Sequence, residues 1–404
     1  MPISQEVKEA LTRSSWIRRM FEEGHRLKTL HGADEVFDFT LGNPDLPPPE
    51  RFLECLRELT AAPPGEIHRY MPNAGWPHVR EKVASHLEKR TGLPFRGEHV
   101  VMTVGAGGAL NVCLKSLLDP GDEVIILSPY FVEYLFYIGN HDGRVVPVET
   151  GEDFAPPTQL LEEAIGERTR AVIINSPNNP TGRVYSRAEL EEFVEVLRRG
   201  AARIGSPIYL ITDEPYRKIV YDGLECPEIP PLYDDTIVIT SHSKDLGLAG
   251  ERIGYVTVSP RAAEVEDVVG AFTFCNRTLG YVNAPSLFQL AVADCQEISV
   301  ELGPYKERRD LLLGHLEELG FDVQRPGGAF YLFPRSPIPD EMSFLQRLME
   351  ERILVVPGRG FGRAGHFRIS YALPTPVIQK SLPAWERVAR SFPELMNRTR
   401  ATAE

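Results

Sequence analysis

Lys244 stands in Ser241-His242-Ser243-Lys244-Asp245-Leu246-Gly247-Leu248-Ala249-Gly250-Glu251-Arg252, a run of small and hydroxyl residues with an arginine eight positions on. These residue types suit covalent capture of an aldehyde that also carries a phosphate. The amine makes the Schiff base, and Ser241 and Arg252 hold the anion. A guanidinium fork binds phosphate bidentately, and a serine hydroxyl adds a short hydrogen bond. One such segment alone reads better as a solvated surface loop. Four further segments reverse that reading.

Asp213 closes the apolar run Tyr209-Leu210-Ile211-Thr212-Asp213, followed by Glu214-Pro215-Tyr216. Open α/β sheets bind ligands at the carboxyl ends of their strands, so this carboxylate is placed to face one. Beside a heteroaromatic nitrogen it would keep that nitrogen protonated, because an opposite charge favours the charged form. A protonated ring is the better electron sink. Tyr216 is placed to hydrogen-bond a ring oxygen; an N-cap or turn aspartate is the competing reading of Asp213. The cluster Asn175-Ser176-Pro177-Asn178-Asn179-Pro180-Thr181-Gly182 follows another apolar run and reads as a rigid turn, from which Asn179 would reach the same oxygen.

Gly105-Ala106-Gly107-Gly108-Ala109-Leu110 joins a strand to a helix. Small residues let backbone N–H groups approach a phosphate at a helix N-terminus. A dinucleotide loop competes, but Leu110 replaces the third glycine of that pattern. Phe131, in Pro129-Tyr130-Phe131-Val132-Glu133-Tyr134, could stack on a flat ring or be a core aromatic. Arg368 is a charge inside the apolar strand Phe367–Tyr371 and calls for a partner, either a substrate carboxylate or a structural one.

These groups need a scaffold, and the middle of the chain supplies one. Strand-like runs at His99–Val104, Glu123–Leu127, Arg144–Val148, Ala171–Asn175, Pro207–Thr212, Thr236–Thr240 and Ile253–Val258 lack strict alternation, as expected of strands buried on both faces. Helical patterns lie between several of them, including Gly108–Leu118 and Arg187–Arg199, the latter led by Ser186 with Glu189 at the capping-box position. The expectation is α/β: a mainly parallel seven-stranded sheet sandwiched by helices. Residues 1–30 read as an amphipathic helix and arm, residues 43–49 as a stiff linker, and Tyr305–Leu319 as a long helix. The chain then divides into 1–45 (arm and part of a small domain), 46–295 (a large domain) and 296–404 (the rest of an α+β small domain built from both chain ends).

With 404 residues the chain is long enough for two domains, since single cores stop growing at roughly 250–300 residues. A net charge of −13 argues against nucleic acid as a partner. Five scattered cysteines without a C-x-x-C pair fit a reducing compartment rather than a disulfide or zinc framework, so no metal is expected. Neither a signal peptide nor a membrane-spanning stretch is indicated, and the expected setting is the cytoplasm.

In this order, Gly42-Asn43-Pro44-Asp45, Tyr70 with Gly75, Gly105–Leu110, Asn175–Gly182, Asp213–Tyr216, Ser241–Arg252 and Arg368 resemble the class I/II aminotransferases of fold type I, which use pyridoxal 5'-phosphate. The resemblance spans nearly the whole chain, and the set is far more specific than its pieces. It implies that Lys244 holds the cofactor covalently, Asp213 pairs with its ring nitrogen, Asn179 and Tyr216 contact the ring oxygen, and Phe131 stacks on the ring. Ser241, Arg252 and the Ala106–Gly107 backbone would bind the phosphate. Tyr70 would reach the phosphate of a neighbouring subunit, implying a homodimer with shared sites. Arg368, with backbone around Gly42 and with Asn179, would clamp the substrate α-carboxylate.

The implied reaction moves an amino group from an L-amino acid to a 2-oxo acid such as 2-oxoglutarate by a ping-pong aldimine/ketimine route. Aspartate or another acidic donor is the first expectation, with Arg277 reading a second carboxylate. That reading has limits: the lysine that one aspartate-preferring branch carries at the position of Gly107 is absent here. The alternatives are an alanine or aromatic donor, with Trp16, Ile17, Phe330 and Tyr331 lining an apolar pocket, or a carbon–sulfur β-lyase on the same scaffold.

Overall fold

Short β-branched runs that bury both faces pair into one central sheet in this computed structural model. It describes residues 3–13, 15–62 and 65–395, without the side chains of residues 6, 10 and 12–22. The strands are β1 (Val100–Thr103), β2 (Glu123–Ser128), β3 (Arg144–Glu149), β4 (Thr169–Asn175), β5 (Tyr209–Asp213), β6 (Thr236–Ser241) and β7 (Gly254–Val258). Their order across the sheet is β1-β7-β6-β5-β4-β2-β3, with β7 antiparallel to both neighbours and every other pair parallel. Val124, Ile126, Ile173, Ile211, Ile237 and Val256 pack one face, under the helix Gly105–Leu117. Ile125, Val172, Ile174 and Leu210 pack the other, under Arg187–Ile204. Full burial of each such side chain contributes about 1.5–3 kcal/mol.

Each expected strand is present, within two residues at either end. The helix after Ser186 has its full capping box: Glu189 N donates to Ser186 Oγ at 3.3 Å, and Ser186 N donates to Glu189 Oε2 at 2.8 Å. It runs on to Ile204 and stops at Gly205, whose φ of 70° is the left-handed turn that glycine tolerates. The helix expected from Gly108 instead begins at Gly105, so the glycine segment is its first turn rather than a preceding loop.

A second core joins the two ends of the chain. Phe37 and Phe39 pack with Tyr305, Leu312, Leu316, Phe330, Phe344, Phe367 and Trp385. Phe37–Asp38 pairs in parallel with Ile353–Leu354, and Tyr331–Leu332, Phe367–Ser370 and Val356–Pro357 form a small antiparallel sheet centred on Phe367–Ser370. Ser370 N donates to Phe39 O at 2.9 Å, which lays residues 39–42 alongside Arg368. Among the described residues, no helix is long and apolar enough to cross a membrane.

Candidate active site

Strand direction brings the chemistry together. Strands β1, β2, β4, β5 and β6 run the same way, so their carboxyl ends share one rim. The antiparallel β7 returns its first residue to that rim, where Gly254 lies opposite both Ser241 and Thr103. Segments near residues 105, 130, 175, 213 and 241–252 therefore surround a single cleft of about 380 Å³. Gly42, Ala106, Gly107, Phe131, Asn179, Asp213, Tyr216, Ser241, Lys244, Arg252 and Arg368 all line it.

Asp213 ends β5 with its carboxyl group buried. Oδ2 accepts a 2.6 Å hydrogen bond from Tyr134, whereas Oδ1 is buried with no partner. Burial pushes its pKa up to about 7; the Tyr134 hydrogen bond opposes the shift, and the nearby Glu214 charge adds to it. Asn175 Nδ2 donates to Asp213 O at 2.7 Å, and Asn175 Oδ1 accepts from Asn179 N at 2.7 Å. One amide thus locks the Asn179 turn to the Asp213 strand end.

Lys244 lies in the short helix His242–Asp245 that follows β6. Its ammonium donates to Gly42 O at 2.7 Å. Burial first, then the charges of Arg368 and Arg252, push its pKa down to about 8. An amine that is neutral in part near pH 7 suits nucleophilic and proton-transfer chemistry.

At one end of the cleft the first turn of the helix Gly105–Leu117 meets Arg252. A Cβ on Gly105 would come within 2.9 Å of the Arg252 guanidinium, so only a glycine allows this approach. Arg252 itself holds a left-handed backbone at φ 54°, a strain on the order of 1 kcal/mol. Its guanidinium donates to Ala249 O at 3.1 Å and Ser243 Oγ at 3.4 Å. Backbone donors, a helix N-terminus, hydroxyls and a guanidinium suit this end to an anion.

At the other end Arg368 lies between two rings, 4.6 Å from the Tyr331 centroid and 4.8 Å from that of Phe361. It donates to Asn179 Oδ1 at 2.9 Å and to Thr40 O at 2.6 Å, while its buried Nε has no partner. Since Asn179 Oδ1 is taken by Arg368, its amide N–H remains to donate elsewhere. Tyr216 and Tyr331 share a hydroxyl–hydroxyl bond of 2.7 Å.

Two expected site residues lie away from this cleft. Tyr70 is 90 % exposed and sits in a surface groove with Tyr281 and Asn283. Arg277 is exposed near the end of the helix Val265–Thr278, 5.4 Å over the Phe274 ring. Phe330 does not line this cleft: it is buried in the second core, edge-on to Tyr216, and its neighbour Tyr331 lines the cleft instead. The side chains of Trp16 and Ile17 lie outside the described residues.

Residues 34–382 match the family described as aminotransferase class I and II. The aspartate/prephenate aminotransferase of Thermus thermophilus is 37 % identical over 369 residues, covering 88 % of this chain and 91 % of that protein. The aspartate aminotransferase of Thermotoga maritima is 33 % identical, covering 87 % and 90 %. A solved amino transferase from Eubacterium rectale superposes with a TM-score of 0.93 at 37 % identity, covering 97 % of this chain and 99 % of that one. The chain is a class I and II aminotransferase.

This aminotransferase is a pyridoxal-phosphate enzyme of fold type I that acts on amino acids and 2-oxo acids. Its cleft fits the cofactor on its own evidence. The orphaned Asp213 Oδ1 calls for a cationic donor, the Gly105 turn with Arg252 calls for an anion, and the amine of Lys244 lies between them and Arg368. The site also contains groups that the sequence reading did not assign: Tyr134 beneath Asp213, Thr40 and Phe361 around Arg368, and Glu133 and Tyr137 on the wall. Tyr134 lies in the first turn of the helix that follows Phe131, with the two rings edge-on at 5.6 Å. Nothing local marks Thr40, whose contribution is a carbonyl.

Proposed function

We propose that this aminotransferase transfers the amino group of an L-amino acid to a 2-oxo acid such as 2-oxoglutarate, with Lys244 as the covalent and proton-transferring residue. One observation carries the assignment: a buried carboxylate with a free oxygen, Asp213, faces the same cleft as a depressed-pKa lysine and a buried arginine. Pyridoxal phosphate, when bound, supplies an aldehyde that condenses with amines and a ring that takes up the electron pair left at Cα. Asp213 holds the positive charge at the ring nitrogen. Asn179 and Tyr216 donate to the ring oxygen, and Phe131 covers a ring face. Ser241, Arg252 and the Ala106–Gly107 backbone hold the phosphate.

Arg368 grips the donor α-carboxylate, with Asn179 and the Gly42 backbone beside it. That grip orients the Cα–H bond, which is why the reaction type depends on it. Lys244, neutral in part at pH 7, would take the proton from Cα and return it across the amino nitrogen to the former aldehyde carbon. The division into 1–45 (arm and part of the small domain), 46–295 (large domain) and 296–404 (the rest of the small domain) is supported by a core that joins Phe37 and Phe39 to residues 300–395, with Tyr216, Ile219 and Tyr221 of the large domain packed into it. The full exposure of Tyr70 supports a homodimer in which it serves the neighbouring site. Unpaired and mostly buried thiols support a cytoplasmic setting.

An acidic donor, aspartate first, is supported by the names of the relatives and by Arg277, which would act across a dimer interface. A second reading, an alanine or aromatic donor, is favoured by the wall of Leu41, Val356, Phe361 and Tyr331. Paired-substrate kinetics with Arg277→Ala separates them: unchanged aspartate turnover removes Arg277 from side-chain recognition. The assignment as a whole is tested by borohydride trapping and peptide mass mapping of active protein, with amino acids then screened for bleaching of the cofactor absorbance. An unmodified Lys244 overturns it.

A further inference from the structure

Glu133 is a half-buried carboxylate on the wall of the reaction cleft, and it has no hydrogen bond or ion pair among the described residues. It opens the helix Glu133–Gly139, and the next residue fixes how that helix is turned. Tyr134 is fully engaged below, bonded to Asp213 at 2.6 Å and edge-on to Phe131, so Glu133 is held on the cleft side.

The three cations that line this chain's own cleft are already accounted for, and Arg277, which would enter only from a neighbouring subunit, lies outside it. Lys244 is committed to the aldehyde, Arg252 to the phosphate and Arg368 to the α-carboxylate. Among the lining residues not given a role in holding cofactor or α-carboxylate, Glu133 is the one charged group, beside Tyr137 and the apolar Leu41, Leu110, Val132 and Val356. We propose that Glu133 meets the end of the donor side chain, and that a ligand bearing a second carboxylate binds there only together with a proton. This rests on the aminotransferase reading of the cleft and names how its donors are told apart.

The physical reason is that two carboxylates sharing one poorly solvated pocket cannot both ionise cheaply, so one takes up a proton and donates it to the other. Amide, hydroxyl or apolar side chains carry no such requirement. Burial already pushes the Glu133 pKa upward. The titratable and charged groups that line the same cleft are Tyr137 one turn on, Lys244 and Arg252 from the segment after β6, Asp213 and Tyr216 at and after the end of β5, and Tyr331 and Arg368 from the small sheet.

The test is calorimetry on the holoenzyme with succinate and with butyrate, in two buffers of different ionisation enthalpy, for wild type and Glu133→Gln. At pH 8 succinate should take up about one more proton in wild type than in the variant, whereas butyrate should show no such difference. Between pH 7.5 and 8.5 the ratio of the wild-type to the variant succinate Kd should rise by up to about tenfold per pH unit. Proton uptake elsewhere in the site is common to both proteins and cancels. Equal uptake in the two proteins, or a ratio that stays flat with pH, overturns the proposal. Glu133→Ala serves as a second variant should the glutamine fold poorly. Succinate binding reads Glu133 without turnover, whereas failure of every amino acid to react would strike the proposed function instead.

Discussion

Tyr134 Oη and Asp213 Oδ2 lie 2.6 Å apart at the floor of the cleft, and this bond leaves the other oxygen of Asp213 buried and alone. The site is thus built around a carboxylate that the protein stabilises only in part. In the cofactor-free protein its folded pKa, about 7, lies above the ordinary carboxylate value. A raised pKa contributes stability at low pH that is lost as pH climbs through the folded value. Cofactor-free wild type should therefore lose stability between about pH 4 and 7, on the order of a few kcal/mol, relative to Asp213→Asn. Tyr134→Phe should push the pKa higher still and weaken cofactor retention. Thermal unfolding from pH 4 to 9 checks this, and parallel curves for wild type and Asp213→Asn would refute it.

Lys244 offers a second pH handle with the opposite sign. Its pKa, about 8, is depressed by burial first and then by Arg368 and Arg252. Capture of pyridoxal phosphate needs the neutral amine, so its rate should climb with pH around a midpoint near 8. Arg368→Gln removes one neighbouring positive charge and should move that midpoint to higher pH. The same change should raise the donor KM by about 10- to 100-fold, the cost of losing hydrogen bonds to a charged group. Stopped-flow absorbance in wild type and variant reads both; a midpoint that does not move rules out the electrostatic coupling.

The fold was legible where local physics governs it. The strand Thr169–Asn175 carries a continuous apolar run at residues 171–174 because both faces are covered there, and the capping box at Ser186 announces its helix. Propensity misled at Gly105–Gly108, four positions poor in helix formers, where tertiary packing sets the helix start: Val104 packs against Gly108, and Arg252 against Gly105. The site was legible as a set of segments but not as contacts. Lys244 meets Gly42 across 202 residues, Arg368 meets Thr40 across 328, and Tyr134 meets Asp213 across 79. Such pairings follow from strand order, which no local pattern encodes.

Gly42 shows how tightly the cleft is closed. A Cβ there would overlap the Tyr331 hydroxyl and come within 2.7 Å of its Cζ. Gly42→Ala must therefore displace Tyr331, breaking its bond to Tyr216 and uncovering one face of Arg368. The expected cost is about 1–3 kcal/mol of stability, the usual range for overpacking, together with a higher donor KM. Adding Tyr331→Ala should make the glycine substitution nearly neutral for stability. A double-mutant cycle with no coupling between the two positions would show that the clash is relieved elsewhere.

Tyr70 and Lys244 test whether sites are shared. Tyr70 is exposed and does not line its own cleft, while the half-buried Lys244 does. If Tyr70 reaches the phosphate of a neighbouring subunit, Tyr70→Phe should weaken cofactor binding by about 0.5–3 kcal/mol, one lost phosphate hydrogen bond. Lys244→Ala should lower turnover by at least about 10²-fold. Unfolding and refolding the two variants together forms hybrid dimers in which one site carries both substitutions and the other carries neither. Activity should then exceed the sum of the separately refolded variants, in proportion to the hybrid fraction. A mixture no more active than that sum would place Tyr70 outside the catalytic unit and leave each subunit to work alone.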